Sequence, residues 1–121
     1  MKVTDNHEAT IWLGLREGYT ETYHGSQEVA ETIQKWCTEK KQCVTMTPTS
    51  YIYVDGQEPG LIIGFINYAR FPYSKAEIRN RAIELGELLM KRCKQYRISV
   101  TFYPTNPGRS MLLENEEMEE K

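Results

Sequence analysis

Apolar positions in this chain recur with two different periods, and the change of period marks its elements. From Ala9 to Arg16, Ile11, Leu13 and Leu15 alternate with Thr10, Trp12 and Gly14, the two-residue period of a strand. From Ser26 to Lys40 the spacing widens. Val29, Ala30, Ile33, Trp36 and Cys37 fall on one helical face, with Ser26 as the expected N-cap. A second strand follows in "QCVTMTPTSYIYV", where Pro48 has no N–H to donate and so predicts an edge strand or a bulge. "DGQEPG" reads as the hairpin turn. In "LIIGFINY", Leu61, Ile63 and Phe65 face one way and Ile62 and Ile66 the other, so this third strand is expected to be covered on both sides. The pattern turns helical again at Ser74. Ser74 and Glu77 form a capping box, Tyr73 and Ile78 have staple spacing, and Ile78, Ala82, Leu85, Leu89 and Cys93 make the inner stripe. Lys91, Arg92 and Lys94 sit where the helix dipole favours cations. "RISVTFY" is the last predicted strand, and the prolines and glycine of "PTNPGRS" cannot continue it.

The order strand, helix, strand, strand, helix, strand predicts an α+β fold. Two helices cover one face of a compact antiparallel-rich sheet, the ferredoxin-like arrangement. Its other face would carry Trp12, Ile62, Ile66, Tyr51, Tyr53 and either Phe102 or Tyr103, too apolar a surface to leave in water. A homo-oligomer is the expected consequence.

The 121 residues suffice for one domain with a real core. No apolar run approaches the roughly 18 residues of a membrane span. The polar start "MKVTDNHEAT" lacks the apolar segment of a signal peptide, which sets a cytoplasmic expectation. Net charge is −2, but Glu114 to Lys121 holds five glutamates and one lysine. Residues 1–113 are therefore expected to form the domain, slightly basic at +2 with 14 cations and 12 anions, and residues 114–121 a disordered acidic tail. So small a positive charge argues against duplex DNA as a partner. Cys37, Cys43 and Cys93 show no metal-ligand spacing, and Cys37 and Cys93 fall in the apolar stripes, as buried cysteines do.

Candidate chemistry points to binding. His7 and His24 are the only histidines and Asp5 and Asp55 the only aspartates, and no phosphate-loop motif occurs. Glu17 and Glu21 could pair as acid and base, but loop carboxylates are usually just solvated. No enzyme, metal or cofactor is expected. Three loops instead gather groups that hold nucleotides. The first offers Arg16, Tyr23 and His24, the second Arg70 and Phe71, the third Asn106, Arg109 and Ser110. Rings stack on bases, and guanidinium forks grip phosphates.

Together, "IWLGLREGY", "YHGSQE", "CVTMTPTSYIYVDGQEPGLIIGFINYARFP" and "SKAEIRNRAIELGELLMKRCKQYRISVTFY" resemble the Thoeris anti-defence sponge proteins of phages, the first family of that name, over about residues 10–110. The resemblance implies capture of a cyclic ADP-ribose isomer, with cyclic oligonucleotides as further ligands, in the cytoplasm of the host. It implies no cleavage, and sites between the protomers of a dimer or hexamer. Its aromatic-plus-polar recognition would fall on Phe71 with Asn80 or Arg81, and its phosphate contact on Arg109. A single-stranded RNA-binding module and a regulatory ferredoxin-like oligomer are the alternative readings. The basic-aromatic strand signature of RNA-recognition sheets is absent from "RISVTFY" and "ATIWLGLR".

Overall fold

A computed structural model of the chain describes residues 1–104 and 109–118. The elements run β1 (Glu8–Gly14), α1 (Ser26–Lys40), β2 (Thr45–Tyr53), β3 (Gly56–Phe65), α2 (Lys75–Arg92), β4 (Arg97–Tyr103) and β5 (Arg109–Glu114). The sheet is antiparallel throughout, in the order β2-β3-β1-β4-β5. This is the expected α+β architecture with one strand more. Pro104 follows the end of β4, but Arg109–Glu114 returns along it, with Ser99 opposite Leu112 and Arg97 opposite Glu114. The expected boundary at residue 113 thus falls inside β5. Beyond it, Asn115 is buried, donates its side-chain amide to the Gln95 carbonyl (3.0 Å) and accepts from the Glu117 N–H.

Both helices lie against the face formed by Ile11, Leu13, Leu61, Ile63, Phe65, Ile98 and Val100, all essentially inaccessible. α1 contributes Val29, Ile33 and Trp36, and α2 contributes Ile78, Ala82, Leu85, Leu89 and Met90. Trp36 meets Phe65 edge-on and donates its indole N–H to Glu84. Removing this apolar area from water is the main force holding the layers together. Two details differ from the sequence pattern. Gly25, not Ser26, occupies the N-cap of α1, its extended backbone accepting the Val29 N–H without a side-chain cap. The hairpin turn is shorter than "DGQEPG". Tyr53 pairs with Gly56, so only Val54 and Asp55 turn, Asp55 in the left-handed region at φ 58°, and Gln57 to Gly60 are strand. Pro48 lies in β2, the edge strand, as its missing N–H requires.

At α2 the capping box forms in both directions, Glu77 N–H to Ser74 Oγ and Ser74 N–H to the Glu77 carboxylate, each 3.1 Å. Ser74→Ala is expected to cost about 1 kcal/mol. That is roughly 4 °C of Tm in a chain this size, measured by thermal melting.

Candidate functional site

The predicted site residues lie in separate places. Arg81 is half-buried between elements, its guanidinium 4.0 Å from the centre of the Tyr73 ring and bonded to Gln42 Oε1 at 3.0 Å. Arg70 lies over the exposed Phe71 ring at the strand-to-helix corner. That corner is held from within. Asn67 is buried, donates to the Asp5 carbonyl and accepts the Tyr73 N–H, while His7 Nε2 stands 2.7 Å from the Tyr73 carbonyl. Asn80 is exposed on α2. Arg109 and Ser110 are consecutive in β5 and face opposite sides of the sheet, opposite Phe102 and Thr101. Asn106 lies outside the described residues. Arg16 closes its own loop, its guanidinium bonded to the Thr20 and Tyr19 carbonyls. His24 is held 2.9 Å from Glu28 and 3.3 Å from Glu17.

What the fold does assemble is a cleft at one end of the helix-free sheet face. Because β2 and β3 pair through a two-residue turn, Tyr51 stands directly opposite Glu58. The Tyr51 ring lies across Gly60, where a Cβ would come within 2.1 Å of it. Next to Gly60 in the register is Gly14. A Cβ on Gly14 would stand 2.9 Å from Glu58 Oε2 and 2.7 Å from Gln95 Oε1. The two glycines form a bare floor on which the ring, the carboxylate and the amide converge. Glu58 Oε2 accepts the Arg16 N–H at 3.4 Å, and Gln95 donates to the Arg16 and Cys93 carbonyls. Trp12, its indole N–H on Thr101 Oγ1, and Leu112 make the apolar wall. The cleft holds about 250 Å³, and a second groove of about 440 Å³ bordered by Tyr23, Gln57 and Pro59 shares Glu58 with it. Together they reach the range of small-molecule sites. Of the predicted residues, Tyr23 borders the second groove, and Arg16 meets the cleft only through its backbone N–H and carbonyl.

The decisive feature is the Tyr51 hydroxyl, which is buried and has no hydrogen-bond partner among the described residues. A buried donor normally has one, and its absence marks a place for a ligand or a water. His24 Nε2 and Arg79 Nε also lack a hydrogen bond among the described residues. His24 has the Glu17 carboxylate beside it, and Arg79 lies over the Phe102 ring against a cavity of about 10 Å³, one water at most. Between α1 and α2 runs another groove of about 440 Å³, lined by Glu28, Glu31, Lys35, Glu39 and Arg92, charges that solvent satisfies. Burial, and then the Glu58 charge, push the Tyr51 hydroxyl up to about 12, so it remains a proton donor at neutral pH. Tyr68 is also raised to about 12, chiefly by its hydrogen bond with Cys43. In an ultraviolet titration, Tyr51→Phe is expected to remove one tyrosine whose ionisation lies near pH 12. Since the folded value lies above the unfolded one, Tyr51 withdraws stability as pH rises from about 10 to 12.

The fold is shared with phage SAM lyase. Two solved structures match it: phage SAM lyase in the apo state, with a TM-score of 0.72 and 15% identity over 93% of this chain and 92% of the other, and phage SAM lyase in complex with S-methyl-5'-thioadenosine, with 0.69 and 20% over 94% and 93%. At these identities the likeness establishes architecture. No family model and no curated protein matches the sequence. Neither structure is a Thoeris sponge protein. The expectation of a non-catalytic protein is corrected by them, because the same architecture, nearly end to end, is that of an enzyme in both. The sequence reading weighed histidine, aspartate and the loop carboxylates of Glu17 and Glu21, and did not single out Tyr51 with Glu58. Among the described residues no helix is long and apolar enough to cross a membrane.

Proposed function

We propose that this chain is a lyase acting on S-adenosylmethionine or a closely related sulfonium nucleoside, with the cleft around Tyr51 and Glu58 as its site. The observation that carries the reading is the unpaired Tyr51 hydroxyl beside the Glu58 carboxylate, in a fold shared with an enzyme that acts on SAM and binds S-methyl-5'-thioadenosine. Substrate and thioether differ by an aminobutyrate chain and one positive charge. The bond between sulfur and that chain breaks, and its electron pair returns to sulfur as the neutral thioether. The chain's carbon makes up the loss either by closing onto its own carboxylate or by giving a proton from the adjacent carbon to Glu58, and a lactone or an alkene product tells the two apart. Glu58 offers the negative charge a sulfonium needs, Tyr51 a hydrogen bond, and Trp12 an apolar face. A second protomer laid on the strip of Trp12, Ile62 and Leu112 would enclose the ligand. In a phage, consuming a methyl donor would serve an anti-defence role.

The test is incubation of the purified protein with S-adenosylmethionine, read by mass spectrometry. Release of S-methyl-5'-thioadenosine supports the reading. Intact S-adenosylmethionine, with a cyclic ADP-ribose isomer retained unchanged in a parallel sample, overturns it.

A further inference from the structure

Resting on that reading, we infer that Gln95 and Glu58 act as a paired acceptor that selects a cationic ligand over its neutral thioether. Gln95 is 8% exposed and therefore fixed among protein groups. Its amide nitrogen is spent on two backbone carbonyls, those of Arg16 and Cys93. With both N–H groups committed, the side chain cannot flip, and Oε1 is turned onto the floor above Gly14. Glu58 Oε2 is turned onto the same floor from β3. No hydrogen bond reaches Gln95 Oε1 among the described residues, and Glu58 Oε2 has only the long bond from Arg16 N–H.

Two oxygen acceptors, one of them charged, thus flank a small volume from which glycine excludes any side chain of β1. Such a pair is electrostatically unfavourable alone and is relieved by positive charge between its members. Arg97, at the rim of the same cleft, stands opposite Glu114 in the register. A sulfonium carries no N–H, so it is recognised here by charge and by the polarised C–H groups around sulfur. Once the carbon–sulfur bond has broken the sulfur is neutral and the attraction is gone. The pair therefore holds substrate and releases product. Gln95 acts as a specificity residue, since the amide adds a partial negative charge that cannot itself be protonated.

Two stable probes test the effect. Sinefungin carries an ammonium where S-adenosylhomocysteine carries a neutral sulfur, and the two share the adenosine and amino-acid ends. By calorimetry the wild-type protein is expected to bind sinefungin at least about tenfold more tightly, the preference a difference of about 1.4 kcal/mol gives. Gln95→Met keeps the length and removes the acceptor, and is expected to reduce that ratio severalfold with S-adenosylhomocysteine affinity unchanged. Glu58→Gln is expected to bring the ratio near one. If Gln95→Met does not fold, Gly14→Ala, whose methyl displaces both oxygens, replaces it, with the ratio expected near one. Equal wild-type affinity for the two probes overturns the pair while leaving the site reading intact, as does a Gln95→Met loss equal for both. Binding of neither probe overturns both proposals.

Discussion

Glu58→Gln is expected to lower kcat/KM for S-adenosylmethionine cleavage by about a hundredfold or more, the lower end of what a positioned acid–base group contributes. The substitution preserves length and shape, and the amide oxygen can still accept the Arg16 N–H. Only the charge is lost. Because that contact is long and Glu58 is half-exposed, Tm should move by no more than a few degrees. How the loss divides is informative. A rise in KM at constant kcat says that the carboxylate holds the cation in ground and transition states alike, whereas a fall in kcat says it takes a proton or acts only as the bond breaks. The variant carries its own control, since the Glu58 charge helps to raise the Tyr51 hydroxyl and its removal should shift that group's titration downward. Wild-type kinetics in a folded Glu58→Gln protein would remove the carboxylate from the mechanism and with it the proposed site.

Why the cleft was harder to read than the fold is a matter of register. Ile11, Leu13 and Leu15, or Ile78, Ala82, Leu85 and Leu89, announce themselves because burial repeats along one element. Ser74 with Glu77 does so because capping is local. The site depends instead on which residue lies opposite which. Reading "DGQEPG" as one long turn left Glu58 in a loop, whereas a turn of Val54 and Asp55 puts it beside Tyr51. The Asp55–Gly56 hairpin signal does not give this turn, because a turn centred on those two residues would set Tyr53, not Tyr51, opposite Glu58. The Gln95 placement was not legible either, since its amide is oriented by carbonyls of β1's exit loop and of the end of α2, far apart along the chain. β5 was missed for a related reason. Leu113 packs on the core, but Met111 and Leu112 are exposed, so the strand lacks the strong alternation that marks β1. Loop composition pointed to other residues. Arg16 and Arg81 have the chemistry of phosphate ligands, and the structure spends them on the Thr20 and Tyr19 carbonyls and on the Tyr73 ring.

The floor of the cleft gives the second large effect. Gly60→Ala is expected to destabilise the fold by about 2–3 kcal/mol, the upper range for overpacking, and to reduce activity at temperatures where the protein remains folded. The added Cβ would fall 2.6 Å from the Leu13 carbonyl oxygen and 2.1 Å from the Tyr51 ring. The ring can swing away, but the oxygen belongs to the backbone of β1, the central strand, which pairs on both sides and cannot yield without straining both ladders. Gly60 itself is buried and carries the register between Thr49 and Gly14. Relief must therefore combine a shift of β3 against β1 with expulsion of the Tyr51 ring toward solvent. The first lowers Tm by roughly 10 °C in a chain this size. The second exposes the hydroxyl and should return its titration toward about 10. A double variant, Gly60→Ala with Tyr51→Ala, separates the two. It should recover the part of the stability lost to the ring clash and none of the activity. A Gly60→Ala protein with unchanged Tm and an unchanged Tyr51 titration would show that the ring does not lie on the glycine, and the geometry assigned to the cleft would fall with it.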